Sequence, residues 1–161
     1  MNAATLLLST LFALAPGEPA PAFEAKNDEG QTVKLSDFQG KTVVLYFYPK
    51  DDTSGCTVQA KGFRDDMDAL RSANVVVLGV SGDSLQSHQA FKKKYDLNFP
   101  LLVDEDGRLA KLYGVEKGLF GFPSRDTIII GPDGKVAHVL RNVNPKGHAE
   151  QVRRLVQPKK G

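Results

Sequence analysis

The sequence predicts a single α/β domain organised around a mixed sheet. Three observations point there. Residues 43–48 and 74–80 (NVVVLGV) are apolar without polar alternation, the pattern of strands covered on both faces. Between them Cys56, Ala60, Phe63, Met67 and Leu70 recur at four- and three-residue steps, which is one face of a helix. The chain has 161 residues, 41% hydrophobic and 25% charged, enough for one well-filled core.

The elements follow in order. Residues 1–15 (MNAATLLLSTLFALA) carry no charge and end in the A-x-A-like Ala13-Leu14-Ala15. That matches the apolar part of a secretory signal, and the run is too short for a membrane span. No Lys or Arg precedes it and Pro16 follows it, which instead fits an added N-terminal helix. The location is extracytoplasmic if the leader is cleaved and cytoplasmic otherwise; stable membrane insertion is not expected. Residues 16–21 are proline-rich, and the folded domain, 16–161, starts there. Asp28-Glu29-Gly30 reads as a turn and 31–35 as a short strand. Ser36 or Asp37 caps a helical turn ending at Gly40. After the strand–helix–strand unit of 42–80, Asp83 caps a helix with Gln86 three residues on. Leu85, His88, Phe91 and Tyr95 form its inner face, making His88 a core-edge residue rather than a ligand. Residues 99–103 form a short strand that Pro100 places at a sheet edge. A short helix over 108–113, a mobile loop over 116–122 and a buried strand over 127–130 come next. Gly131-Pro132-Asp133-Gly134 is a turn, and 136–143 pair back as a hairpin. Asn144 caps a last helix with Pro145 at its first position, Ala149, Val152, Leu155 and Val156 giving its apolar face.

Composition excludes several functions. Net charge is +2, too small to steer nucleic acid, and Lys159-Lys160 is a solvated end. One cysteine rules out an internal disulfide and a CxxC pair. Three histidines and that cysteine, far apart in sequence, give no metal-site spacing; no metal or cofactor is expected.

The chemistry concentrates in Pro49-Lys50-Asp51-Asp52-Thr53-Ser54-Gly55-Cys56. It places the lone cysteine on the first turn of a helix just after a buried strand. The first N–H groups of a helix lack intrahelical partners and carry partial positive charge, which favours a thiolate, the nucleophilic form. Position alone is equally compatible with a buried structural cysteine.

The loop decides between them. YFYPKDDTSGCT, with its P-x-x-x-T-x-x-C spacing at Pro49, Thr53 and Cys56, resembles the active-site loop of the peroxiredoxins, in particular the Q-type or bacterioferritin comigratory proteins. The resemblance extends over about residues 16 to 157, through PGEPAPAF, LSDF, LGVSGDSLQSHQAF, FPLLVD and RDTIIIGPDGK. It implies a thioredoxin-like fold with a central mixed sheet flanked by helices. It also implies a thiol-dependent peroxidase reducing hydrogen peroxide and alkyl hydroperoxides in antioxidant defence, with Cys56 passing from thiolate to sulfenic acid. Thr53 would hydrogen-bond the peroxide, its other reading being a helix N-cap, and Pro49 would shield the sulfur. PSRDTIII makes Arg125 the cation beside the thiolate, in preference to Lys50, whose neighbours Asp51 and Asp52 give it a surface pair. Backbone N–H groups at Gly55 and Cys56 would complete the peroxide's hydrogen-bond frame.

In one respect the sequence departs from the common Q-type pattern. The resolving cysteine found in many members five residues after the first is Lys61 here. An external thiol (thioredoxin, glutaredoxin or a small thiol) would therefore reduce the sulfenic acid, as in one-cysteine peroxiredoxins. Resemblance to Q-type relatives implies a monomer or weak homodimer. The competing reading is a non-catalytic thioredoxin-like binding or chaperone module, against which the joint presence of Pro49, Thr53, Cys56 and Arg125 argues.

Overall fold

The computed structural model describes residues 14–118 and 120–157, so most of the apolar leader lies outside the described residues. Among those residues, no helix is long and apolar enough to cross a membrane. The strands are β1 (Glu24–Asn27), β2 (Thr32–Lys34), β3 (Thr42–Phe47), β4 (Val75–Ser81), β5 (Leu101–Val103), β6 (Thr127–Ile130) and β7 (Val136–Leu140). The helices are α1 (Ser54–Ser72), α2 (Leu85–Tyr95), α3 (Arg108–Leu112) and α4 (His148–Val156), with a 3-10 turn at Leu35–Phe38. One seven-stranded sheet results, in the order β2-β1-β5-β4-β3-β6-β7. The pairs β3–β4 and β4–β5 are parallel and the others antiparallel. This is the expected mixed sheet flanked by helices.

The non-alternating β3 has the predicted consequence. Val44, Tyr46 and the following Tyr48 pack into one core layer, against Ala60, Phe63, Met67 and Leu70 of α1, Phe91 of α2 and Val152 of α4. Val43, Leu45 and Phe47 pack into the other, with Leu109 of α3, Tyr113 and Ile128. Gly62 of α1 lets α4 come close: a Cβ there would lie 3.0 Å from Ala149 Cβ.

Four expectations are corrected. Strand β5 is interior, between β1 and β4. Pro100 stands just before the strand, where no ladder N–H is required, and its carbonyl accepts from Gly79 N at 3.1 Å. The strand that flanks it, β1, was not anticipated, because EAKN buries only Ala25 and Asn27. Ser84, not Asp83, caps α2: its side chain accepts from Ser87 N at 3.1 Å. Helix α4 begins at His148 behind Gly147 (φ 76°). Asn144 instead closes a local turn, accepting from Lys146 N at 3.0 Å, so Pro145 precedes the helix.

Candidate active site

Strand β3 delivers the chain into the Pro49–Thr53 loop, and α1 starts immediately after it. Thr53 is the N-cap residue by its extended backbone (φ −90°, ψ 156°), but its side chain makes no capping bond. Its hydroxyl donates to Lys50 O at 2.8 Å, so the oxygen's remaining capacity is as an acceptor. Thr57 N returns to Thr53 O at 2.9 Å, so Gly55 and Cys56 fall in the first turn, whose N–H groups have no carbonyl one turn back.

Cys56 is 1% exposed and packs among the Tyr46, Tyr48 and Phe63 layer. Arg125 comes to it from the segment ahead of β6, held by Val143 N donating to Arg125 O at 2.8 Å. Its Nη1 donates to Cys56 Sγ and to Gln59 Oε1, both at 3.2 Å. A Cβ on Gly55 would lie 2.7 Å from Arg125 Nη2 and 3.4 Å from Pro145 Cγ. Only glycine leaves room for the guanidinium there. Of the residues singled out in the sequence, Thr53, Gly55, Cys56 and Arg125 are thus brought to one turn, with the half-buried Pro49 leading into it.

Lys50 is the exception to the expected pairing. Its Nζ lies 5.7 Å from the Phe122 ring centroid, a cation–π distance. Asp52 pairs instead with Lys94 at 2.8 Å, while Asp51 turns inward. There Asp51 accepts from Tyr48 Oη at 2.6 Å and Ser87 Oγ at 2.9 Å, and pairs with His88 Nδ1 at 2.7 Å. His88 Nε2 donates to Leu102 O at 2.8 Å, and Asp51 N donates to Asp83 Oδ2 at 2.8 Å. Burial works against charge on His88, but the Asp51 carboxylate outweighs it and raises the imidazole above its usual value. With both ring nitrogens donating, His88 is an imidazolium fully inside the protein, not at the edge of the core. Asp51, Asp83 and His88 bring ligand-type atoms within 4.8 Å of one another. Neither imidazole nitrogen keeps a lone pair for a metal, so the cluster is a clasp between the active loop and α2.

Sequence reading missed Gln59 and His148. Gln59 is completely buried, and its Nε2 lies 2.8 Å from His148 Nδ1. Burial, with the nearby Arg125 charge, pushes His148 down to about 4. The available signal was the position of Gln59 one residue from the apolar α1 stripe; nothing in the sequence paired it with His148.

The chain matches the AhpC/TSA family over residues 16–139. It is 44% identical over 157 residues to the chloroplastic peroxiredoxin Q of Sedum lineare, covering 96% of this chain and 84% of that protein. It is 48% identical over 142 residues to the putative peroxiredoxin bcp of Coxiella burnetii, covering 84% and 94%. Among solved structures, a cysteine-to-serine mutant of Xylella fastidiosa PrxQ superposes with TM-score 0.83 at 30% identity, over 89% of this chain and 95% of that one. The peroxidoxin BcpB of Mycobacterium tuberculosis superposes with TM-score 0.82 at 30% identity, over 89% and 96%.

Proposed function

The chain belongs to the AhpC/TSA family as a thioredoxin-fold peroxiredoxin, a thiol-dependent peroxidase, and on that premise we propose that Cys56 is its peroxidatic residue. The observation that carries the assignment is the 3.2 Å contact of Arg125 Nη1 with Cys56 Sγ. A guanidinium donor on the sulfur favours the thiolate. The thiolate attacks the nearer oxygen of a hydroperoxide; an S–O bond forms and the O–O bond breaks. The electron pair leaves on the far oxygen, which takes a proton and departs as water or an alcohol, and Cys56 becomes a sulfenic acid. Thr53, its own proton committed to Lys50 O, accepts from the peroxide O–H. Arg125 and the first-turn N–H groups of Gly55 and Cys56 meet the negative charge that develops on the oxygens. Pro49 screens the sulfur from bulk water.

Hydrogen peroxide and alkyl hydroperoxides are the proposed substrates. Phe122 (42% exposed) stands beside the loop as an apolar rim, tied to it by Lys50. Phe47 is excluded from that rim, since it packs in the opposite core layer.

With one cysteine in the chain, the sulfenic acid is resolved from outside. A first external thiol condenses with it, releasing water and leaving a mixed disulfide on Cys56; a second thiol displaces Cys56 and carries off the disulfide. Thioredoxin, glutaredoxin or a small thiol fits this role.

The test is peroxide consumption with dithiothreitol. Cys56→Ser is expected to abolish turnover and Arg125→Ala to lower it by about a hundredfold. Full turnover by Cys56→Ser overturns the assignment of Cys56, and no turnover by the wild type with Cys56 reduced and accessible favours a binding module. Under excess peroxide and no reductant, intact mass is expected to pass beyond one added oxygen, to the sulfinic acid; a mass that stays at one added oxygen, or none, contradicts this over-oxidation.

A further inference from the structure

Resting on the assignment of Cys56, we propose that His148 is a positioning residue for the sulfur's cation: through Gln59 it fixes which end of a buried amide faces Arg125, and so where Arg125 aims.

The argument runs from donor and acceptor counts. Arg125 Nη1 can only donate, so the Gln59 atom 3.2 Å from it is the carbonyl oxygen. That leaves the Gln59 amide nitrogen toward His148 Nδ1, at 2.8 Å. An amide nitrogen is likewise only a donor, so Nδ1 must accept. His148 is then neutral and carries its proton on Nε2. That nitrogen is buried and has no hydrogen-bond partner among the described residues, and the ring meets Phe63 edge-to-face at 5.3 Å. A charged imidazole is disfavoured there, in keeping with the value of about 4 that burial and Arg125 impose.

The result is a directed chain: Cys56 Sγ and Gln59 Oε1 both accept from Arg125, and Gln59 Nε2 donates to His148. Both Gln59 and His148 are uncharged, so nothing in the relay neutralises the guanidinium. If His148 loses its acceptor, a buried amide loses its partner and its fixed orientation. With the amide reversed, its NH2 group opposes the guanidinium donor to donor, and Arg125 is displaced from the sulfur. The relay crosses from α4 to α1 because Gly62 admits Ala149 closely, setting the start of α4 against the second turn of α1.

The experiment compares wild type with His148→Leu, His148→Asn, Gln59→Leu and the His148→Leu/Gln59→Leu pair. Asparagine Oδ1 stands near the place of imidazole Nδ1 and preserves the acceptor; leucine keeps bulk without it. Two quantities are read: the second-order rate with hydrogen peroxide, and the pH profile of Cys56 alkylation by iodoacetamide, which needs no peroxide. His148→Leu is expected to lower the rate about tenfold, the worth of one buried hydrogen bond, and to move alkylation to higher pH. His148→Asn restores both, and His148→Leu adds nothing in the Gln59→Leu background. A folded His148→Leu protein with wild-type profiles, an asparagine variant as impaired as leucine, or additive losses in the pair overturn the proposal. So does 15N NMR of the wild type at neutral pH if the His148 proton sits on Nδ1. Shifted alkylation profiles in a protein that never consumes peroxide would leave the relay standing and remove the peroxidase assignment.

Discussion

Gly55 is where sequence, packing and chemistry meet most closely. Its missing side chain leaves the volume that Arg125 occupies, with a Cβ 2.7 Å from Nη2. Gly55→Ala therefore displaces the mobile end of a side chain rather than backbone, while alanine gains up to about 1 kcal/mol of helix propensity over glycine. The expected outcome is a peroxide rate lowered about tenfold, one lost hydrogen bond, with no fall in melting temperature. Stopped-flow kinetics and calorimetry on the same preparation check it; a lowered melting temperature with an intact rate contradicts it. At this scale the proposed site residues were legible because the motif spaces them along the chain: Pro49, Thr53, Gly55 and Cys56 lie within eight positions. Arg125 needed the resemblance, since 21 residues are Lys or Arg and nothing local distinguishes it. Gln59, His148 and the inward turn of Asp51 were not legible. Each acquires its meaning from a partner 37 or more positions away, and pattern reading sees only neighbours.

Between elements, the contact that matters is the clasp of the active loop on α2. Asp51 is 7% exposed and His88 is completely buried, so each charge depends on the other. Asp51→Asn leaves a buried imidazolium without its counter-charge and is expected to cost about 3 kcal/mol in urea unfolding, as breaking a buried pair does. The sign with pH follows from the raised His88 value. A histidine whose folded value lies above its unfolded one stabilises the fold fully below the unfolded value, and that contribution fades as pH rises through the folded one. The difference between wild type and Asp51→Asn should therefore be larger at pH 6 than at pH 9; the reverse trend would show that the pair does not hold the loop. The expected capping of α2 by Asp83 failed for a related reason. A carboxylate that could cap a helix is engaged instead by Asp51 N and Ser81 Oγ, at 2.8 and 2.6 Å.

Across the whole molecule, two buried histidines pull stability in opposite directions. His148, held down to about 4, must take up a proton on unfolding below its ordinary value. Its contribution is complete above about pH 6.5 and is lost as pH falls toward 4, amounting to about 3 kcal/mol. His88 works the other way, on the alkaline side. Unfolding free energy is expected to peak near neutral pH. His148→Asn should flatten the limb between pH 6.5 and 4, and His88→Gln the alkaline limb. Denaturant titrations across that range check both, and an unchanged acid limb in His148→Asn would mean that His148 is not held neutral. The architecture itself was readable to a large extent. The apolar runs at β3, β4 and β6 and the α1 stripe predicted the buried centre. The placing of the short strands was not, since β1 and β5 are four and three residues long and their order in the sheet depends on contacts distant in sequence.

The contact between Arg125 and Cys56 spans 69 positions, joining the first turn of α1 to a segment anchored on the far side of β3. A chain still emerging from the ribosome, or one whose β6–β7 hairpin has not docked, holds the sulfur without its guanidinium. The lone thiol is thus an internal clock of maturation: its rate of capture by a hydroperoxide, followed during refolding, should rise only as β6 closes onto β3, later than the helical signal of α1. With Cys56 as the proposed peroxidatic residue, its oxidation would await the completion of the sheet.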